Sequence, residues 1–145
     1  MRSLLHVNVL VALFDAQHIH HAAAQDWWAE NRSSGWASCP LTQNGYVRVM
    51  SQPRYPNSIT STFACDLLAR QTADTNHVFW PDDVSLLQSD LFDRQNILGP
   101  KQLTDIYLLG LAVTHGGRLA TFDEAIPLRA VMSAEPHHLA VIPHG

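Results

Sequence analysis

The chain has 145 residues and a mass of 16.1 kDa, a length that predicts a single domain spanning residues 1–145. Its residues are 46% hydrophobic and 15% charged, which excludes a disordered or low-complexity protein. The formal net charge is −4, whereas a protein that holds nucleic acid by phosphate neutralisation alone is normally basic. If the chain acts on nucleic acid, it therefore needs a local basic rim or a bound cation.

The sequence carries no sign of a membrane or secreted protein. No apolar run approaches the roughly 18 residues that a membrane span needs. His6 and Asn8 interrupt the apolar start of the chain, which is atypical of a signal peptide. Cys39 and Cys65 are too few for a disulfide framework, so we expect two buried thiols in a reducing compartment. These features predict a cytoplasmic protein without a membrane segment.

Short apolar strands alternate with helical segments along the chain. The predicted strands, in chain order, are Leu4–His6, Trp36–Cys39, Val78–Trp80, Arg118–Phe122 and Leu139–Ile142. The predicted helices are Val9–Phe14 with Asn8 as its N-cap, His20–Asn31, Pro40–Ser51, Thr62–Thr75, a segment from Ser85, and a helix from Thr104 that ends at Gly116 and Gly117. This alternation is typical of βαβ units and predicts an α/β fold with a mostly parallel central sheet flanked by helices.

Polar residues follow the predicted strands at the edge where ligands of parallel α/β proteins collect. His6 follows the first strand, Asp123 follows the fourth, and Asp105 begins a helix, while Gln43 lies in the first turn of the helix from Pro40. Two carboxylates at one sheet edge are typical of a site for Mg²⁺ or Mn²⁺, the ions that many nucleases use. An isolated Asp at a helix start is also a routine cap, so the hypothesis rests on the convergence of Asp105 and Asp123.

Five segments that together span nearly the whole chain carry a family resemblance: LLHVNVL at 4–10, CPLTQNGYVRV at 39–49, FWPDDVSL at 79–86, QLTDIYLL at 102–109 and LATFD at 119–123. In this order they resemble PIN-domain proteins of the VapC type, the ribonuclease toxins of bacterial type II toxin–antitoxin pairs. The resemblance implies a PIN-like three-layer sandwich and an endoribonuclease that depends on Mg²⁺ or Mn²⁺. It also implies RNA as substrate, a cognate antitoxin protein as partner, and a homodimer.

The sequence departs from the family pattern at two acidic positions. His6 stands where the first-strand motif normally has Asp, and Gln43 stands where the helix motif commonly has Glu. The resemblance assigns the other site positions to two metal-binding carboxylates and two supporting polar side chains: Asp105, Asp123, Asn8 and Thr121. Because hard cations prefer carboxylates, we expect Mg²⁺ to bind more weakly here, and imidazole favours Mn²⁺ or Zn²⁺ relative to Mg²⁺.

Three alternatives explain His6. It is an engineered or selected change that disarms a toxic nuclease, a natural change that leaves an inert module able to bind its antitoxin, or a ligand of a softer metal in a working enzyme. For Gln43, either a carboxylate from Asp82 or Asp83 approaches the site and compensates, or these two residues belong to a solvated turn.

Several residues near these motifs have both a functional and an ordinary interpretation. Four basic residues either contact substrate phosphates or are solvated charges: Arg48, Arg54, Lys101 and Arg118. Two groups of histidines, at 18–21 and 137–144, are interpreted as solvated surface rather than metal ligands.

Overall fold

The computed structural model describes residues 1–144, and within them a five-stranded parallel sheet lies between two layers of helices. The strands are β1 (Ser3–Leu5), β2 (Trp36–Ser38), β3 (His77–Phe79), β4 (Arg118–Thr121) and β5 (Leu139–Val141). The helices are α1 (Val7–Phe14), α2 (His21–Asn31), α3 (Pro40–Ser51), α4 (Ser61–Thr72) and α5 (Leu103–Thr114). The fold class predicted from the sequence is confirmed.

The order of the strands places β1 at the centre of the sheet. The order is β3-β2-β1-β4-β5, and every neighbouring pair is parallel. Leu4 of β1 pairs with Ala37 of β2 on one side and with Leu119 of β4 on the other. The strand order reverses between β1 and β4, and ligands of open α/β sheets bind outside the carboxyl ends of the strands at such a reversal.

Successive strand residues point to opposite faces of the sheet, and both faces are covered. Leu5 and Ala120 belong to a core formed with α1, α2, α3 and α4. Leu4 and Leu119 belong to a second core, on the α5 side. Burial on both faces explains why the strands are continuous apolar runs rather than alternating ones.

The start of α1 differs from the prediction. The helix begins at Val7, and its N-cap is His6 rather than Asn8, because Nδ1 of His6 accepts the backbone amide of Asn8 at 3.1 Å. The chain passes from β1 into α1 with a single intervening residue, so the capping position falls on residue 6. The Asn8 side chain is used elsewhere, in a hydrogen bond to Thr121.

The predicted helix from Ser85 is wrong, because residues 81–93 form loops and turns. Side chains satisfy the backbone locally: Gln88 Oε1 accepts the Ser85 amide at 2.6 Å, and Ser85 Oγ accepts the Leu87 amide at 3.1 Å. The fully buried ring of Phe92 anchors this segment against Gly110 of α5. A Cβ at Gly110 would lie 2.3 Å from the ring, so only glycine allows the contact without a shift.

Other local predictions have mixed outcomes. Gly116 ends α5 with a φ of +71°, as expected for a left-handed cap. Cys39 is buried, and this burial raises the pKa of its thiol to about 11. Cys65 lies exposed on α4, so the expectation that both thiols are buried is wrong. Among residues 1–144, no helix has the length and apolar character needed to cross a membrane.

Candidate active site

The candidate site lies at the carboxyl edge of the two central strands. His6 directly follows β1, and Asp123 lies two residues beyond the end of β4. The amide of His6 donates to the carbonyl of Ala120 at 3.0 Å, which continues the β1–β4 ladder to this edge. Asp105, in the first turn of α5, comes to the same edge from the opposite layer. The sheet therefore brings together residues that are about 100 positions apart in sequence.

His6 and Asp105 form a direct pair. Nε2 of His6 lies 2.6 Å from Oδ1 of Asp105, and the two side chains are only 15% and 18% exposed. Because Nδ1 of His6 accepts the Asn8 amide, the ring proton lies on Nε2 and is donated to the carboxylate. Both ring nitrogens are therefore occupied, one as acceptor and one as donor.

A second hydrogen-bonded group positions Asp123. Nδ2 of Asn8 donates to Oγ1 of the fully buried Thr121 at 3.2 Å, and the same Oγ1 accepts the Asp123 amide at 3.1 Å. Oδ1 of Asn8 accepts the Phe122 amide at 3.4 Å. Oδ1 of Asp123 itself accepts the Ala125 amide at 2.8 Å, which fixes the carboxylate in its turn. These bonds connect Asn8 and Thr121 to the turn that carries Asp123, and the supporting role that the resemblance implies for them stays a prediction.

Gln43 lies in the first turn of α3, and its side chain bonds to the end of β2 rather than to His6 or Asp105. Nε2 of Gln43 donates to Oγ of Ser38 at 3.0 Å, and that oxygen also lies 2.7 Å from Nε2 of His77. Burial lowers the pKa of His77, which favours its neutral form. The side-chain amide of Gln43 therefore links the start of α3 to the end of β2, and Ser38 extends this link to His77 at the start of β3.

Of the two carboxylates proposed to compensate for Gln43, Asp83 lies elsewhere. Oδ1 of Asp83 accepts from Nε2 of His115 at 2.9 Å, and His115 follows the C-terminus of α5, at the opposite end of that helix from Asp105. Asp82 is exposed and lies near the Cys39 thiol, where its charge adds to the burial that raises the thiol pKa. Compensation by Asp83 is therefore wrong. No hydrogen bond or ion pair joins Asp82 to His6 or Asp105 within residues 1–144, and compensation by Asp82 stays a prediction.

Among the basic residues considered as phosphate ligands, Arg118 is bonded within the fold, whereas Arg48 and Arg54 extend into solvent. The Arg118 guanidinium donates to Ser3 Oγ at 2.9 Å and to Asn31 Oδ1 at 2.8 Å, at the amino edge of the sheet. A phosphate-binding role for Arg118 is therefore wrong, because it lies at the edge opposite the site. Arg48 and Arg54 are exposed and make no side-chain hydrogen bond or ion pair with any residue from 1 to 144.

The donor set that the chain presents does not fit Mg²⁺. This ion takes oxygen ligands in near-octahedral geometry, and position 6 supplies an imidazole whose two nitrogens are both engaged in hydrogen bonds. Asp105 is already bonded to that ring. In the part of the chain that the structure describes, no three His, Cys, Asp or Glu side chains are arranged to hold a metal ion. The geometry also argues against His6 as the ligand of a softer metal, since that role needs one of its two hydrogen bonds to break.

No pattern in the sequence indicated that Asp15 and Tyr55 come into contact. The carboxylate of Asp15, at the end of α1, accepts hydrogen bonds from the Tyr55 hydroxyl and from Asn57 Nδ2. Burial acts to raise the pKa of Asp15, but these bonds and the Gln17 amide outweigh it and lower the pKa overall. Tyr55 lies in an irregular connection between two prolines, where no periodic pattern indicates which side chains turn inward.

The histidines at 18–21 were expected to be solvated, and the structure gives them partners instead. The ring of His20 lies 5.2 Å from that of Phe122 and 4.7 Å from that of His144, and Nδ1 of His21 lies 2.7 Å from the carbonyl of Ala12. The expectation that these histidines are not metal ligands stays a prediction.

Proteins similar to the chain include several ribonucleases from Mycobacterium tuberculosis. Ribonuclease VapC44 is 53% identical over 142 residues, which cover 98% of this chain and 100% of that protein. Ribonuclease VapC39 is 45% identical over 127 residues, covering 87% of this chain and 91% of the relative. Ribonuclease VapC38 is 44% identical over 125 residues, covering 86% of each. No protein-family model matches the chain.

A solved structure supports the same placement at the level of fold. The crystal structure of Mycobacterium tuberculosis VapC20, described as a toxin that cleaves the sarcin–ricin loop, superposes with a TM-score of 0.63. The match covers 92% of this chain and 99% of VapC20, at 11% sequence identity. At that identity the likeness concerns the fold alone.

The strand order, the two helical layers and the polar site at the ends of β1 and β4 define an α/β protein of the PIN-like class. The identity with VapC44 over nearly the whole of both chains is more specific. The chain belongs to the VapC family, and the recognition made from the five sequence motifs is confirmed.

Proposed function

We propose that the chain is an endoribonuclease toxin of a type II toxin–antitoxin pair, built as one PIN-like domain, whose cation site is disabled by His6. The observation that carries the proposal is the full-length similarity to VapC44, a protein named as a ribonuclease. The position of Asp105 against residue 6 at the end of β1 agrees with it. RNA is the substrate class, in keeping with the description of VapC20.

The chain's own residues have distinct roles in this proposal. Asp105 and Asp123 hold a Mg²⁺ or Mn²⁺ ion when a carboxylate replaces His6, and the ion then supplies the activation of water that nucleases need. Asn8 and Thr121 position Asp123 through the hydrogen bonds described above. Arg48, exposed and without a partner within residues 1–144, contacts RNA phosphates.

Gln43 keeps the family's place on α3 but acts as a positioning residue, through its bond to Ser38 at the end of β2. This role predicts that Gln43→Glu alone does not produce cleavage while His6 is present. Cleavage of RNA by the Gln43→Glu variant, in the same assay as for His6→Asp, measures this.

Cleavage of RNA before and after His6→Asp tests the proposal. Structured RNA hairpins and total RNA are incubated with each protein in Mg²⁺, in Mn²⁺ and in EDTA. We expect the His6→Asp variant to cleave at least about 100-fold faster than the chain with His6, because it regains a carboxylate ligand. The matched control is His6→Asp combined with Asp105→Asn, which should be inactive. No cleavage by the His6→Asp variant under any of these conditions contradicts the nuclease proposal.

A second function is favoured by the closed His6–Asp105 pair: an inert PIN-like module that binds an antitoxin and acts in regulation. This alternative predicts that His6→Asp neither cleaves RNA nor binds a divalent cation in calorimetry. It also predicts that affinity for the antitoxin is the same with His or Asp at position 6. A gain of cleavage by the variant rules it out.

The proposed partners are a cognate antitoxin and a second copy of the chain, and the proposed location is the cytoplasm. Light scattering on the chain alone, and on the chain co-expressed with a candidate antitoxin, measures both assemblies. We expect a dimer of the chain alone and a larger complex with the antitoxin. A monomer at all concentrations contradicts the homodimer.

A further inference from the structure

A small pocket opens beside His6, on the side of α1 that faces α3. Its volume is about 300 Å³, which is at the lower end of the range of roughly 300–1,000 Å³ for sites that take small molecules. Val7 and Val11, one turn apart on α1, line one side, and Val49 of α3 contributes to the lining as well. The lining is mainly apolar, and none of the roles assigned above accounts for it.

Two side chains add a ring and a hydrogen-bonding group to this apolar pocket. Tyr55 belongs to the lining, and its hydroxyl is held by the Asp15 carboxylate, which restrains the ring. His18 also belongs to the lining, and its Nδ1 accepts the amide of His20 at 3.0 Å. In the neutral ring the proton therefore lies on Nε2, which is free to donate.

The ionisation of His18 is consistent with that role. Burial, together with the charge of the nearby His20, lowers the pKa of His18 more than the Asp15 carboxylate raises it. The neutral ring therefore predominates at neutral pH and donates from one fixed nitrogen.

The pocket is continuous with the candidate active site. His6 and Asn8 line it, and both also belong to the hydrogen-bonded groups that hold Asp105 and Asp123. Arg54 precedes Tyr55 in the chain, and Arg48 precedes Val49. Both arginines are exposed, and neither side chain has a hydrogen-bond or charge partner within residues 1–144. An apolar pocket with an aromatic side chain, whose lining residues are preceded in the chain by exposed arginines, offers the combination of stacking and positive charge that single-stranded nucleic acid binding uses.

We infer that this pocket binds one unpaired nucleobase of the RNA strand, next to the phosphate at the active site. The inference rests on the proposed ribonuclease function and extends it to base selection. The valines enclose the base, Tyr55 offers a stacking surface, and Nε2 of His18 donates to an acceptor on the base edge. Arg48 and Arg54 contact the adjoining phosphates. The residue at position 6 then lies between the base and the scissile group.

Nucleotide titrations followed by NMR test the pocket independently of cleavage. The four nucleoside 5′-monophosphates are added to the full chain, and the methyl signals of Val7, Val11 and Val49 are recorded. We expect these signals to shift with at least one nucleotide and to stay in place with ribose 5-phosphate, which has the phosphate but no base. Equal shifts with ribose 5-phosphate, or none with any nucleotide, overturn the inference.

Two matched variants separate the pocket from its surroundings. Val49→Trp fills it and should weaken nucleotide binding at least about 10-fold, as expected when a stacked base is excluded. Val47→Trp makes the same change two residues earlier on α3, in a separate cleft against α4, and should leave binding unchanged. His18→Asn keeps an acceptor for the His20 amide but removes Nε2, so we expect binding to persist while the preference among the four bases is lost. Equal binding by the two Trp variants contradicts the inference.

The outcome is distinguishable from failure of the proposed function. If His6→Asp restores cleavage but Val49→Trp in that background leaves base preference at the cut site unchanged, the ribonuclease proposal stands and the pocket inference is wrong. If nucleotides shift the valine methyls although no variant cleaves RNA, the pocket inference stands alone. If a peptide from the antitoxin shifts these methyls and nucleotides do not, the pocket is a protein-binding site and the inference is overturned.

Discussion

Replacing His6 by Asp should couple the stability of the protein to a divalent cation. His6 caps α1 and donates a hydrogen bond to Asp105. With Asp at position 6, a cation between the two carboxylates would take the place of that hydrogen bond. Asp is a good N-cap, and the variant therefore keeps the start of α1. It loses the bond to Asp105 and places a second negative charge nearby.

The size of the effect follows from those two losses. A hydrogen bond to a charged group contributes about 1.5–3 kcal/mol, and two like charges about 4 Å apart repel by about 1–4 kcal/mol, depending on solvent access. Both side chains are less than a fifth exposed, so screening by water is incomplete. We expect the free energy of unfolding without cation to fall by at least about 2.5 kcal/mol, the sum of the two lower limits, which lowers the Tm by about 5–10 °C for a chain of this length.

The cation should reverse this loss. The carboxylate of Asp ends short of the position of Nε2, which leaves room for an ion with metal–oxygen distances of about 2.0–2.1 Å. A cation at 100 times its Kd adds about 2.7 kcal/mol to the free energy of unfolding. Differential scanning fluorimetry over a series of Mg²⁺ and Mn²⁺ concentrations measures the gain in Tm, with His6→Asn as the control that caps the helix without adding charge. A His6→Asp variant whose Tm responds to neither ion, as we expect of His6→Asn, would refute the reasoning.

Three further substitutions test the structure around the site. Gly110→Ala is expected to lower the free energy of unfolding by up to about 2 kcal/mol, because overpacking against Phe92 costs about 1–3 kcal/mol and exceeds the gain in helix propensity of about 1 kcal/mol. Urea denaturation measures the loss, and addition of Phe92→Leu should recover part of it, whereas strictly additive effects would contradict the contact. Tyr55→Phe should cost about 1.5–3 kcal/mol in the same assay, since its hydroxyl donates to a buried carboxylate, and an unchanged midpoint would argue against that bond. The hydrogen bond from Arg32 lowers the pKa of Asp74 from 3.8 to about 2, so its contribution to stability is complete above about pH 4 and is lost as the pH falls toward 2. Thermal unfolding from pH 5 to pH 2 should therefore show a steeper loss than in Asp74→Asn, and parallel curves would count against this assignment.

Elements set by local chemistry were predictable from the sequence. Pro40 marks the first position of α3, and Gly116 ends α5 in the left-handed conformation that favours glycine. The apolar run that ends at Phe122 correctly located β4 and, with it, the turn that carries Asp123. These features depend on neighbouring residues, which is why a pattern in one stretch of sequence is enough to find them.

Features set by distant contacts were not predictable in this way. The side chain of Asn8 bonds to Thr121, 113 residues away, instead of capping α1. The segment before α5 forms no helix because Phe92 packs on Gly110 instead. Tyr55 turns inward because its hydroxyl bonds to Asp15, 40 residues away. The position of the candidate site at the carboxyl edge of the sheet could be predicted from the sequence. The role of Asp105 and Asp123 in holding a cation stays a prediction.

The central place of β1 has a consequence for synthesis on the ribosome. The first strand to be made cannot gain its second neighbour until β4 has left the exit tunnel, and His6 waits 99 residues for Asp105. At about 5–20 residues per second, that interval is roughly 5–20 s. A nascent chain of this protein therefore lacks the pairing of His6 with Asp105 for most of its translation.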